Sequence, residues 1–390
     1  LKNSSAESDV YKRHELTRRI DKLHTAVRTL RAESPRKEGR YDLGEVMPDL
    51  REALAGLQLA IHDVQSALVE VGEPSVEVEK VHEQLLKVTE RLALLTSDDA
   101  WDGLRWLEVN PRSIRINLTP LDVSSTLRGQ IDNGQQSWIF TSATLAVGED
   151  FSHFNSRMGL GDVTGLTFPS PFDLSANGLV YLPPGLPQPS DPTHTGAMLE
   201  AVTPLLDVSP GGMFCLFTSH RALNAAKKWF RANKGTLRGR QLLVQGDAPR
   251  DDLLRRFRAI GDAVLLGTGS FWEGVDVRGD ALMIVAIDKL PFASPADPLM
   301  MARLEFLRRQ GGNGFSEHQL PQAALALKQG AGRLLRDESD FGLIVLCDPR
   351  VTSKGYGKTF LACLDPMPRT SALDEVVAFF DSKAERGAVA

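Results

Sequence analysis

Apolar residues recur at alternating steps of three and four through the first hundred positions. Leu16, Ile20, Leu23, Val27 and Leu30 form one run, and Met47, Leu50, Leu54, Leu57, Ile61, Val64, Leu68 and Val71 a second. Val78, Val81, Leu85, Val88, Leu92 and Leu95 form the third. This spacing predicts helices with a narrow apolar seam, the second about 40 Å long at 1.5 Å per residue. So narrow a seam needs a partner. The break at Gly72 to Ser75 (GEPS) lets the third segment fold back on the second as an up-down hairpin, the alternative being a coiled coil between two copies of the chain. Between the first two segments, Arg31 to Tyr41 (RAESPRKEGRY) is basic and reads either as a phosphate contact or as a solvated turn.

From Asp98 the pattern changes. WDGLRWLEV, NPRS and IRINLTPLDVS read as two short strands around an Asn-Pro turn, with Ile114, Ile116 and Leu118 on one face. Ser137 to Leu145 (SWIFTSATL) reads as an apolar strand running into hydroxyl residues, and the proline-rich stretches 168–173 and 182–189 mark a hinge. Between the two proline-rich stretches lies an apolar run at Leu179–Tyr181, and beyond them come others at Met213–Phe217, Gln241–Gln245, Ala263–Leu266, Leu282–Ile287 and Leu343–Cys347. Helical or loop segments separate them, including a helix from Arg221 and one over Arg250–Ile260, whose Arg255, Arg256 and Arg258 read either as lining a DNA channel or, more simply, as a solvated face. Such alternation predicts a mostly parallel sheet covered on both faces, so the fold class is α/β with an N-terminal all-helical antiparallel bundle.

Composition narrows the function classes only a little. With 390 residues, 42% hydrophobic and 24% charged, the chain can fill two or three globular domains. A net charge of -5 and a pI near 6.0 do not describe a generally basic nucleic-acid binder, although a local basic groove is compatible with them. Cys215, Cys347 and Cys363 have no CxxC spacing, which fits buried thiols in a reducing cytoplasm rather than a metal site. No apolar run approaches the ~20 residues of a membrane span, and the first thirty residues are charged rather than signal-like.

Two runs carry candidate chemistry. Gln329 to Arg336 reads QGAGRLLR, and the helix formers before it (LPQAALALK, Leu320 to Lys328) predict that Arg333 and Arg336 leave one face of a helix. A planar, permanently charged guanidinium suits a phosphoryl group whose charge spreads during transfer; the plainer reading pairs both arginines with Asp337, Glu338 or Asp340. The second run, Ser270 to Gly279 (SFWEGVDVRG), lies between two apolar strands, where open α/β sheets build their sites. Gly355 to Thr359 (GYGKT) imitates a phosphate loop but has Thr352 where GxxxxGK[ST] requires glycine, and HEQLL at His82 lacks the second histidine of a zinc-protease helix.

Together, about fifty residues apart and joined by DKLPFASPADP, the two runs resemble motifs V and VI of superfamily-2 helicases in the wording of the XPD-like branch that includes the bacterial DinG and YoaA family. The resemblance covers about Trp101 to Thr370, with TSATL similar to motif III and Thr218–Ser219 similar to motif IV. It implies a helical arch-like domain over 1–97, the C-terminal part of a first RecA-like motor domain over 98–170, and a second motor domain over 171–390. It implies an ATP-dependent DNA helicase of 5'-3' polarity acting in repair or replication, with Arg333 and Arg336 on the γ-phosphate. Gln329, Gly332, Glu273 and Asp276 would then serve the nucleotide and its Mg²⁺ shell. Ser142, Thr144, Thr218, Ser219, Ser270 and Trp272 would meet single-stranded DNA or couple it to the nucleotide; for Ser219 a helix N-cap is the alternative. Tyr356, Gly357 and Phe360 match the family's YG-x-x-F segment.

The family's phosphate loop, four-cysteine iron-sulfur domain and DEAH-type box are not in the sequence. Hence the expectation is a C-terminal part, starting within the arch, that binds neither ATP, Mg²⁺ nor an iron-sulfur cluster alone and turns over no ATP. It would be cytoplasmic and monomeric, with single-stranded DNA and a replication or repair protein as partners. The alternative is an inactive module that docks DNA or a partner without a motor half.

Overall fold

The structure, a computed structural model, describes residues 2–70, 75–97, 103–134, 136–161, 163–272, 279–335 and 337–389. The chain divides into two compact units, Leu1–Ser125 with Ser294–Gly312 and Thr126–Ala293 with Asn313–Ala390.

In the first unit the three seams become α1 (Lys2–Glu33), α2 (Leu43–Val69) and α3 (Val76–Thr96), with α2 packed against both others. Leu30, Leu43, Leu50, Leu54, Ile61 and Leu92 build the core, while Ile20, Val27, Val81 and Val88 of the same heptad rows stay exposed. Asp42 caps α2 by accepting the Gly44 amide at 2.7 Å. Two polar pairs cross from α2 to α3, Gln58 Nε2 to Thr96 Oγ1 and Gln65 Nε2 to Thr89 Oγ1, both 3.1 Å. Seven residues apart on α2, they fix the register of a hairpin whose apolar seam would tolerate a slip.

The hairpin expected after Asp98 forms as β2 (Gly103–Val109) and β3 (Ile114–Pro120), closed by Asn110 N–H to Ser113 O. Gly39–Asp42, read from sequence as part of a basic turn, adds antiparallel to β2 as β1. Within that sheet Arg40 lies 5.1 Å over the Trp106 ring and pairs with Asp297 at 2.8 Å, so its charge is already engaged.

The second unit is a seven-stranded, wholly parallel sheet in the order β10-β4-β9-β8-β5-β7-β6. Its strands are β4 (Gly178–Tyr181), β5 (Gly212–Leu216), β6 (Leu242–Val244), β7 (Val264–Gly267), β8 (Leu282–Ile287), β9 (Gly342–Leu346) and β10 (Arg369–Thr370). Alternate residues feed two cores: Phe214, Leu216, Leu265 and Val285 meet Phe257 and Leu327 on one face, while Met213, Cys215, Ile284 and Val345 meet Leu199, Phe230 and Phe380 on the other. The helices that matter below are α4 (His220–Ala232), α5 (Arg250–Ile260) and α6 (Leu320–Ala331). By contrast SWIFTSATL forms no strand: among the described residues nothing pairs with it, and Ile139 is 85% exposed.

Near the amino ends of β5 and β7, Arg240 gathers four backbone carbonyls. Its Nη1 donates to Gly211 O and Asp262 O at 2.5 and 3.2 Å, and its Nη2 to Leu206 O and Ser209 O at 2.8 and 2.5 Å. Arg240→Ala is expected to lower the free energy of unfolding by on the order of 3 kcal/mol in urea titrations, because four acceptors on buried or half-buried residues lose a charged donor together. A change within about 0.5 kcal/mol would mean that water replaces it without cost.

Candidate nucleotide and DNA site

Several polar residues of interest in the second unit leave the carboxyl end of a parallel strand, where the next helix or loop begins and backbone N–H groups point outward. After β5 come Phe217, Thr218 and Ser219; after β7, Thr268 to Trp272; after β8, Asp288; after β9, Asp348 and Arg350. Their hydrogen bonds tie neighbouring strand ends to one another.

Trp272 lies at the centre. Its ring is 7% exposed, its Nε1 donates to Phe217 O at 3.3 Å, and its carbonyl accepts Arg333 Nη2 at 2.6 Å. One residue thus joins the arginine run to the loop after β5. The fit is close on the α6 side, where a Cβ on Gly330 would stand 2.8 Å from Trp272 Cε3. Further along, Thr268 donates its amide and hydroxyl to Gln245 Oε1 at 2.6 and 3.1 Å, fixing the β7 end to the β6 end. Arg250 lies 5.9 Å over the Phe271 ring.

The helix under the arginine run is shorter than the sequence implies. It ends at Ala331, with Gly332 at its C-cap and Arg333 in the following turn. Glycines at 330 and 332 weaken the last turn, and Arg333 is buried at 8% exposure instead of standing on an open helix face. Gln329 is half-buried in the last turn of α6, and Gly332 is exposed, its N–H on Lys328 O at 2.9 Å. Arg336, Glu273 and Asp276 lie outside the described residues, and of Ser270 only the backbone, in the turn Gly269–Phe271, is described.

Thr218 and Ser219 are both exposed. Ser219 is the N-cap of α4, its Oγ accepting the Ala222 amide at 3.2 Å, which still leaves a hydroxyl proton to donate. Ser142 and Thr144 bond each other at 3.1 Å in a local turn, and among the described residues neither is hydrogen-bonded to the strand-end cluster. GYGKT does not cradle an anion: Tyr356 packs on Phe292, Phe315 and Phe360, and a Cβ on Gly357 would fall 2.0 Å from Val351 O, so that glycine permits a backbone contact.

Two acids that sequence reasoning passed over hold this end of the sheet together. Asp348, 2% exposed, accepts Leu290 N–H at 2.8 Å and binds Arg350 at 2.6 Å, and Arg350 in turn covers the Phe292 ring at 5.5 Å. Asp288 is fully buried and accepts the Thr218 amide at 2.9 Å through Oδ1. Its carbonyl accepts His194 Nε2 at 2.9 Å. Burial, opposed by the Thr218 and Lys289 interactions, pushes the Asp288 carboxyl up to about 7. Each is the first acid after an apolar strand, the one sequence signal that could have found them.

Residues 202–367 match the helicase C-terminal domain family. The ATP-dependent DNA helicase YoaA of Escherichia coli K12 is 44% identical over 281 residues, 72% of this chain and 44% of that protein. The ATP-dependent helicase DinG of Mycobacterium tuberculosis H37Rv is 36% identical over 281 residues, 70% of this chain and 42% of that protein. The chain therefore spans less than half the length of these relatives. Among solved structures, an XPD helicase has a TM-score of 0.56 at 15% identity, covering 93% of this chain and 64% of that one. Xpd4 of S. tokodaii has a TM-score of 0.53, covering 93% of this chain and 73% of that one.

Two outcomes follow from the geometry. Gly330→Ala is expected to cost about 1–3 kcal/mol of stability, with a shift in tryptophan emission, because the methyl must displace the Trp272 ring; an unchanged unfolding curve would mean that the ring is not held there. The folded chain also holds the Asp288 proton more tightly than an unfolded one, whose carboxyl titrates near 3.8. Its contribution is therefore complete below that pH and is lost as pH rises to about 7. Unfolding free energies should decline over this window, and Asp288→Asn should remove that part of the decline; a decline of equal size in the variant would assign it elsewhere.

Proposed function

The chain belongs to the XPD-like DinG and YoaA family of superfamily-2 helicases, as its helicase C-terminal part, and from that premise we propose that it is the DNA-gripping motor half of an ATP-dependent DNA helicase. The observation that carries this reading is the connection Arg333–Trp272–Phe217, because it joins a phosphate-sensing position to a DNA-facing loop through one buried residue. The bond to a backbone carbonyl orients the planar guanidinium head.

In this reading Arg333 and Arg336 meet the γ-phosphate of ATP carried by the other motor half, while Gln329 and Gly332 shape the turn that presents them. Glu273 and Asp276 would serve the ribose or the water shell of Mg²⁺, which would neutralise phosphate charge there. Arginine stabilises the transferring phosphoryl group only when the halves close, so hydrolysis is tied to closure. The closing motion reaches DNA through Trp272: a shift of Arg333 moves the Trp272 carbonyl, and the ring moves Phe217 and with it Thr218 and Ser219, whose hydroxyls donate to backbone phosphates of single-stranded DNA. Ser142, Thr144 and Ser270 contribute to the same path. Translocation would be 5'-3', with a repair or replication protein as the expected partner, and the 390 residues alone would turn over no ATP.

Fluorescence anisotropy with a labelled single strand, together with a phosphate-release assay, tests this. The expected result is DNA binding that weakens steeply with salt, is indifferent to ATP, and is accompanied by no ATP turnover. Turnover that falls roughly 10³-fold in Arg333→Ala would show instead that the chain carries a complete nucleotide site. No DNA binding at low salt would overturn the DNA-gripping role.

A further inference from the structure

Asp288 has no evident reason to be a carboxylic acid. Accepting backbone N–H groups, from Thr218 and more weakly from Lys289, at a buried strand end is work that an asparagine oxygen performs without the cost of burying an ionisable group. What distinguishes this carboxyl is its second oxygen, which lies 3.5 Å from the Thr218 hydroxyl. Asp288 is completely buried whereas Thr218 is exposed, so the pair connects the sheet interior to the surface proposed to face DNA.

The direction of that contact depends on where one proton sits. When Asp288 is ionised, it can only accept, and Thr218 O–H turns inward to donate to Oδ2. When Asp288 is protonated, its own O–H donates to Thr218 Oγ1, and the threonine proton is left to point outward. A phosphate oxygen is an acceptor, so only the second arrangement lets Thr218 bind one. Resting on the DNA-gripping reading above, we propose that Asp288 is a positioning residue that sets the donor direction of Thr218 and thereby makes the grip on a DNA phosphate depend on the protonation of a buried acid.

The surroundings suit this role. The ionisable groups around Asp288 are Lys289 beside it, Cys215 on β5, and Cys347 and Asp348 at the end of β9, while His194 bonds its backbone carbonyl. Burial raises both thiols, Cys215 to about 12, so they stay neutral and give the carboxylate no compensating charge. Lys289 has its ammonium on Pro189 O. Desolvation therefore dominates, and the Asp288 carboxyl exchanges its proton near neutrality.

The test is single-stranded DNA affinity, by anisotropy with a labelled oligothymidylate at constant ionic strength from pH 5.5 to 8.5, for the 390-residue chain and two variants. For the unaltered chain we expect affinity to fall roughly three- to tenfold from pH 6 to pH 8, the worth of one hydrogen bond. In Asp288→Asn the amide donates permanently to Thr218, so this step should vanish and binding at pH 8 should match the unaltered chain at pH 6. In Thr218→Val, an exposed position, the step should vanish with binding weak throughout; this variant decides the matter if Asp288→Asn does not fold. A step of undiminished size in Thr218→Val, a flat profile in the unaltered chain, or Asp288→Asn binding more weakly than it at pH 8 would each overturn the proposal while leaving the DNA-gripping reading intact. Failure of the unaltered chain to bind at any pH would overturn both.

Discussion

The second unit depends on how one tryptophan is held. Trp272 ends the turn after β7, closes the gap between the sheet and α6, and offers its indole N–H and its carbonyl to two different segments. Its ring fits because residue 330 has no side chain. A parallel sheet places the tips of its strands side by side but does not connect them. Here the connections are supplied by side chains: Trp272 from β7 toward β5 and α6, Gln245 from β6 to β7, Asp288 from β8 to β5, and Asp348 around the ends of β9 and β8. Neighbouring strand ends are therefore held to one another by specific hydrogen bonds.

Strand identity was readable because a strand buried on both faces must be apolar throughout. Six such runs, the first between the proline-rich stretches and five beyond them, became β4 to β9 within a residue or two of their apolar limits, and Arg250–Ile260 became a helix with the same bounds. The two strands that were missed, β1 and β10, have four and two residues and are made by pairing, not by composition. SWIFTSATL errs in the opposite direction. Its residues are strand formers, but β structure requires a neighbour, and among the described residues none pairs with it.

The candidate site could be picked out of the sequence by its motifs, but its geometry could not be read there. Arg333 was found by its neighbours QGAGRLLR, yet two glycines end the helix before it, and burial turns its guanidinium to the Trp272 carbonyl. Ser219 reads from sequence either as a DNA contact or as a helix N-cap, and its oxygen caps α4 while the hydroxyl proton remains able to donate. Asp288 and Asp348 were invisible as a pair because their importance comes from burial and from partners 70 and 58 residues away along the chain. Sequence shows an acid after a strand; only the fold shows what it faces.

The central claim is that Arg333 and the loop after β5 are energetically joined through Trp272. A double-mutant cycle between Arg333→Met and Trp272→Phe, read in single-stranded DNA affinity, addresses it directly: the first removes the bond to the Trp272 carbonyl, and the second removes the indole bond to Phe217 while keeping a ring in place. The account predicts that the two losses are not additive, with a coupling energy of about 0.5–3 kcal/mol. Additivity within about 0.3 kcal/mol would contradict it, leaving Trp272 as packing and nothing more.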